Sequence, residues 1–252
     1  MNILISNDDG VDAPGIIALE SAVSTVAKTT VVAPHKNRSG SSAALTLDRP
    51  LKCQKNERGF YSVTGTPCDC IHLGSHRILT EKPDMVIAGI NHGANLGDDV
   101  LYSGTVAAAM EGRSLGFPAV AISLVGKQCN HYQVAANFVI KLINNIRSFQ
   151  LDSNIILNVN VPDLASEEIK GIEFTRLGSR HRADTVIPSK DPKGEPVYWI
   201  GPPSEPQDVG PGTDFDAINR GFISITPLVV DLTANNLSST MRRWIDSFQE
   251  ST

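Results

Sequence analysis

The chain has 252 residues, of which 41% are hydrophobic and 19% charged, and a formal net charge of −5. That hydrophobic share excludes a disordered chain, and the acidic balance excludes a broad cationic surface for nucleic acid or anionic lipid. A chain of this length buries about 70% of its surface on folding, a core that needs no disulfide or metal staple.

Asn2 to Ser6 is short, apolar and β-branched, and Asn7-Asp8-Asp9-Gly10 stops it. This predicts a buried strand ending in a loop. Pro14 suits the first turn of a helix, and Ile16, Leu19, Val23, Val26 and Ala27 continue at helical spacing. Thr29 to Ala33 is a second buried strand, ended by Pro34. The first 34 residues therefore spell strand–helix–strand, the unit of a parallel sheet.

Leu45 to Val63 breaks the alternation, with extended pieces around Arg49-Pro50 and Arg58-Gly59 that predict a hairpin excursion. Pro67 to Leu79 reads as helical, Asp84 to Ile90 as a buried strand, and Thr105 to Leu115 as an Ala-rich helix. Pro118 to Ser123 is another strand. Ala135, Phe138, Val139, Leu142, Ile143 and Ile146 mark a long amphipathic helix, and Asn154 to Val161 a further strand. After Pro162 the composition shifts. Lys190-Asp191-Pro192-Lys193-Gly194 is a turn signal between extended pieces, and Gly221 to Pro227 is a strand. Leu237, Met241, Trp244, Ile245 and Phe248 share one face of a last helix. The predicted fold is α/β: a Rossmann-like, doubly wound, mostly parallel sheet over residues 1–162. A C-terminal β-hairpin and helix extension over 163–252 carries its strand near 221–227.

The four cysteines are too few for a secreted disulfide scaffold. Cys68-x-Cys70-x-His72 lacks the two-residue gap of a zinc knuckle. No apolar run approaches the roughly 20 residues of a membrane helix, and MNILISNDDG lacks a basic n-region. These features point to a cytoplasmic protein with reduced thiols.

In an open parallel sheet, ligands bind beyond the carboxyl ends of the strands. Three polar loops lie there. In Asn7-Asp8-Asp9-Gly10, adjacent carboxylates repel unless a positive group intervenes, and an oxygen-rich cluster suits a hard divalent cation. The second loop runs from Gly89 to Asp99, with glycines at Gly89, Gly93 and Gly97. Asn91 offers a neutral oxygen to a cation, and Asn95 can donate to a phosphate oxygen. The spacing is not the dinucleotide fingerprint GxGxxG. Asp98 and Asp99 read as ordinary turn residues. The third loop, Asn37 to Ser42, supplies Arg38 and the Ser39 oxygen. Tyr102-Ser103-Gly104-Thr105 opens a helix whose free amides, hydroxyls and dipole make an anion site, or simply a cap. His92 is the nearest histidine, and the residues leave a general-acid role and a hydrogen-bonding role both open.

Together, SNDDG, NRSGSS, GINHGANLGDDVLYSGTVAAAMEG and GTDFDAINRGFISITPL resemble the survival protein SurE family of metal-dependent 5′/3′-nucleotidases. The resemblance spans nearly the whole chain, with Pro188 to Gly210 least diagnostic. It implies one divalent cation per subunit, Mg²⁺ or Mn²⁺, held by Asp8, Asp9, Ser39 and Asn91. It implies phosphate contacts from Asn95, Ser103, Gly104 and Thr105. Nucleoside monophosphates are the implied substrates, attacked by metal-activated water with Asp8 or Asp9 as catalytic base, and polyphosphate cleavage is an implied side activity. It implies a homodimer or homotetramer built by a swapped C-terminal segment, while the net charge and the lack of a membrane-length apolar run leave no binding of nucleic-acid polymers or membranes expected. An aspartyl-phosphate phosphatase is the competing reading. That chemistry favours Asp-x-Asp, whereas Gly10 stands two past Asp8. A nucleotide-binding module without turnover would use the same phosphate site but would not need the carboxylate pair.

Overall fold

The computed structural model describes residues 1–149, 151–180, 186–201, 204–233 and 239–248. The apolar run at the start forms β1 (Asn2–Ser6), and Pro14 opens α1 (Pro14–Val23). The helix stops before Val26 and Ala27 because the chain bends there. Thr25 Oγ1 donates back to the Ala22 carbonyl at 2.6 Å, and Lys28 begins the next strand, β2 (Lys28–Pro34).

The excursion is a hairpin of β3 (Cys53–Lys55) and β4 (Tyr61–Val63), while the stretch around Arg49-Pro50 forms no strand. Helix α2 (Pro67–Leu73) starts at a capping box, in which Thr66 Oγ1 accepts from the Asp69 amide and Asp69 accepts from that of Thr66. A π-turn, Gly74–Ile78, continues it. The chain then forms β5 (Met85–His92), a 3₁₀ turn (Gly97–Leu101), α3 (Gly104–Glu111), β6 (Ala119–Val125), α4 (Tyr132–Ile146) and β7 (Ile156–Pro162). After Pro162 come β8 (Ile172–Phe174), the hairpin β9 (Val186–Lys190) and β10 (Pro196–Ile200), α5 (Asp214–Asn219), β11 (Ile223–Leu228) and α6 (Ser239–Asp246). Leu237, counted above in the last helical stripe, lies outside the described residues.

The main sheet has nine strands in the order β3-β4-β2-β1-β5-β6-β7-β11-β8. Neighbours are parallel except β3 against β4 and β11 against β7. Helices cover both faces. One layer buries Ile3, Ile5, Ile87 and Ile122 with Ile16 and Leu19 of α1 and Val139 and Ile143 of α4. The other buries Leu4, Val86 and Ala121 with Cys70 and Ile71 of α2 and Val106 and Ala109 of α3. This is the predicted doubly wound α/β sheet. Strand β11 extends it directly beyond β7, so the strand expected near 221–227 lies in the same sheet as the first 162 residues. Among the described residues no helix is long and apolar enough to cross a membrane.

Strand order reverses at β1. The chain goes to β2 on one side and returns through β5 on the other. The crevice above the carboxyl ends of β1 and β5 is the switch point where open α/β sheets place ligands.

Candidate active site

At the end of β1 the chain is turned by Asn7. Its side-chain Nδ2 donates to the Gly10 carbonyl at 2.8 Å, and its Oδ1 accepts from the Gly10 amide. The turn lifts the next two carboxylates over the strand end. Asp8 is 3% exposed. Its Oδ1 accepts the Thr105 hydroxyl at 2.6 Å, and its carbonyl accepts the Arg38 amide at 2.7 Å. Asp9 Oδ2 accepts the His92 amide at 2.8 Å, which ties the β1 loop to the end of β5. Asn91 points the same way, with its Oδ1 3.5 Å from the Thr105 hydroxyl.

The carboxyls are electrostatically strained. Burial pushes the Asp8 carboxyl above its usual range against the lowering effect of the Thr105 hydroxyl and of the Gly104 and Thr105 amides. Asp9 is pushed up to about 6, first by burial and then by the charge of Asp8, with the His92 amide opposing. No Lys or Arg contributes to either carboxyl among the described residues.

The start of α3 faces this pair. Ser103 is the N-cap, and its Oγ accepts the Val106 amide at 3.0 Å. Its own hydroxyl proton remains available to an incoming oxygen. The absent side chain at Gly104 allows close approach. A Cβ there would stand 2.8 Å from the Asp8 Cβ and 2.9 Å from the Ser41 hydroxyl. The positive end of the α3 dipole and the buried Asp8 carboxylate therefore share one small volume.

Ser39 follows Arg38 on the loop after β2; its amide donates to Asn37 Oδ1 at 2.8 Å and its side chain is exposed. Asn95 is buried. Its Nδ2 donates to Ser123 Oγ at 2.8 Å, its amide donates to Asn160 Oδ1, and its carbonyl accepts from both Asn158 and Asn160. Thus Asp8, Asn91, Gly104 and Thr105 converge, Asp9 joins through His92, and Asn95 turns its side chain into the sheet. His92 also meets the Tyr132 hydroxyl at 2.8 Å through Nδ1.

Asn158, Asn160 and Ser123 escaped the sequence reading as site residues. A signal existed: NVN places two amides two residues apart, on one face of an otherwise apolar strand. Asp99 is more than a turn opener, because it pairs with Arg180.

Chains of known structure and curated chains give the family. A crystal structure of the SurE protein from Aquifex aeolicus superposes with a TM-score of 0.84 at 41% identity, covering 98% of this chain and 100% of that one. The family model described as survival protein SurE matches residues 3–184. The chain belongs to the SurE family. A curated SurE relative from Aeromonas hydrophila, named 5′-nucleotidase SurE, is 55% identical over 252 residues, with 98% of this chain and 99% of the relative covered.

The donor set of the site bears on the cation that the SurE resemblance implies. Asp8 is buried and Asp9 half-buried, no described Lys or Arg stands beside either carboxyl, and the oxygens beside them are neutral amide and hydroxyl groups. Among the described residues no three His, Cys, Asp or Glu side chains group as a metal cage. An all-oxygen set with only two charges fits a hard divalent ion and does not fit a zinc cage.

Proposed function

We infer that this chain is a metal-dependent phosphomonoesterase that hydrolyses nucleoside 5′- and 3′-monophosphates to nucleoside and phosphate, a 5′-nucleotidase by class. The observation that carries this reading is the convergence of Asp8, Asn91 and Thr105 on the N-terminus of α3 at the switch point of the sheet. An anion site built directly against a buried carboxylate is self-defeating unless a cation stands between them.

Asp8, Asp9, Ser39 and Asn91 would hold one Mg²⁺ or Mn²⁺ per subunit, which when bound offsets phosphate charge and acidifies water. The remaining work belongs to the chain. Ser103 donates its hydroxyl proton to an equatorial phosphoryl oxygen. The Gly104 and Thr105 amides, with the helix dipole, stabilise the charge spreading over those oxygens. Asn95 shapes the loop that carries them. Thr105 orients the Asp8 carboxylate. Asp8 or Asp9 accepts the proton lost by the attacking water. These residues address the phosphoryl group alone, so short polyphosphates are a second substrate class. Net charge −5 disfavours nucleic-acid polymers.

The test is phosphate release from a panel of nucleoside monophosphates with Mg²⁺ and Mn²⁺. We expect turnover that EDTA abolishes, and a loss of about 10²-fold or more in kcat/KM for Asp8→Asn and Asp9→Asn, equivalent to about 2.7 kcal/mol. AMP that binds without being hydrolysed under any metal would establish a binding module instead. Trapped aspartyl-phosphate would establish the covalent route.

We further propose a homodimer or homotetramer of a cytoplasmic protein, assembled through the residues after Pro162. Helix α6 leaves Trp244 60% exposed and Ile245 exposed, and Phe248, just past the end of the helix, is exposed too. An apolar stripe of this kind needs cover. A chain ending at Thr233 is expected to sediment as a monomer or to aggregate. An intact chain that is monomeric at micromolar concentration refutes the assembly, and a dimer that survives the truncation moves its interface elsewhere.

A further inference from the structure

We propose that Arg180 and Asp214, both beyond Pro162, hold the loop Asn95–Ser103 in its phosphate-binding shape and so act as positioning residues for hydrolysis. The proposal rests on the reading of Ser103 and α3 as the phosphate site.

The loop is tied at Asn95, Gly97, Asp98 and Asp99, to three different segments. Asn95 is clasped through its backbone by Asn158 and Asn160 of β7. Two residues on, the Gly97 amide donates to Asp214 Oδ2 at 2.8 Å. Asp214 is fully buried at the start of α5, and its other oxygen accepts the amides of Gly178 at 2.8 Å and Phe215 at 3.0 Å. Two residues further, Asp99 pairs with the Arg180 guanidinium, and the Arg180 amide donates to Asp98 Oδ2 at 2.7 Å. The carbonyl of Asp99 in turn accepts the amides of Tyr102 at 3.0 Å and Ser103 at 3.1 Å. The residue that Arg180 grips is therefore the residue on which Ser103 hangs.

Packing closes the same node. A Cβ at Gly97 would meet the Phe215 ring at 2.8 Å, and one at Gly178 would meet it at 2.5 Å. The Arg180 guanidinium lies over that ring, 5.5 Å from its centre. The Asp99 side chain is 4% exposed and that of Arg180 20%, so solvent screens their attraction little. A turn that needed only to hold its course would be held as well by apolar contacts. Burying Asp214 and Asp99 is costly, and directional bonds are what such groups supply and apolar contacts do not. The loop's exact shape matters because the phosphate donors are its last residue, Ser103, and the next two in the chain, Gly104 and Thr105. Displacement of donors by about 1 Å costs on the order of 10²-fold in rate.

The decisive variant is Arg180→Met, compared with Arg180→Lys and Asp99→Asn in the full-length chain. Three quantities are read: vanadate inhibition and kcat/KM for AMP under Mn²⁺, Mn²⁺ affinity by calorimetry, and amide hydrogen exchange across residues 96–105. We expect Arg180→Met to weaken vanadate inhibition and kcat/KM by about 10- to 100-fold, with Mn²⁺ affinity unchanged within about twofold. Exchange should quicken at Gly97, Tyr102 and Ser103 but not in β1 or β5. Arg180→Lys should recover part of the loss, and the Asp99→Asn/Arg180→Met double variant should be no worse than the weaker single variant. Wild-type vanadate inhibition and wild-type exchange in Arg180→Met overturn the proposal. So does a parallel loss of Mn²⁺ affinity and of protection in β1 and β5, which marks a general loss of structure. If the wild-type chain releases no phosphate from any nucleotide, the functional reading fails on its own, and the exchange experiment still decides whether Arg180 holds the loop.

Discussion

Substituting alanine for Gly104 separates helix propensity from site geometry. Alanine at the first position of α3 favours the helix by up to about 1 kcal/mol. The new Cβ, however, would stand 2.8 Å from the Asp8 Cβ, 2.9 Å from the Ser41 hydroxyl and 3.0 Å from Asp8 Oδ2. Carbon atoms rest at about 3.5–4.0 Å, so Asp8 or the helix must move by roughly 1 Å. Asp8 has no room to retreat, because it is buried, its carboxyl is bonded to Thr105 and its carbonyl to the Arg38 amide. Overpacking of this kind costs about 1–3 kcal/mol, so the net stability loss is about 0–3 kcal/mol. In a chain this long that lowers Tm by at most about 12 °C. Activity is far more sensitive, since a shift of about 1 Å between catalytic groups costs on the order of 10²-fold. Phosphate release from AMP under saturating Mn²⁺, measured beside thermal melting by circular dichroism, tests this. A Gly104→Ala chain that keeps kcat/KM within about twofold of wild type would refute the reasoning.

Two further outcomes follow from the carboxyl pair. Thr105→Val keeps the shape of the side chain but removes the hydroxyl that bonds Asp8, at a cost of about 1.5–3 kcal/mol. That bond lowers the Asp8 pKa, so its loss should move the acid limb of the kcat/KM profile to higher pH as well as lower the maximum; an unmoved limb argues against the contact. In the metal-free protein Asp9 sits at about 6 against an ordinary 3.8, so the folded state binds its proton more tightly than the unfolded state. Its contribution is most favourable below the lower value, declines as pH rises between the two, and stays unfavourable above about 6. The melting temperature of the wild type relative to Asp9→Asn should therefore fall between about pH 4 and 6, and a constant difference across that range would contradict the assignment.

Much of the fold was legible because local patterns carry it. β1 reads from five residues bounded by Asn7-Asp8-Asp9-Gly10, α1 from Pro14 and its apolar spacing, and α4 from a stripe that repeats over four turns. The short pieces were not legible. β8 spans three residues and α5 six, too few for any period to show. Asp8 and Asp9 stood out as polar residues just past a buried strand and Asn91 as one near the end of another, and parallel α/β topology fixes where such residues gather. The antiparallel placement of β11 against β7 has no such local mark, because direction is set by how the chain returns and not by side-chain alternation. The supports of the loop Asn95–Ser103 are more distant still. Gly97 and Asp214 are 117 residues apart, Asp99 and Arg180 81, and Asn95 and Asn160 65. A buried carboxylate or amide takes its meaning from the partner that satisfies it. The sequence by itself determined the alternating elements and the polar loops at their ends. Only tertiary structure decided which of those loops Asp214, Arg180 and Asn160 reach, since folding alone brings such partners within a hydrogen bond of one another.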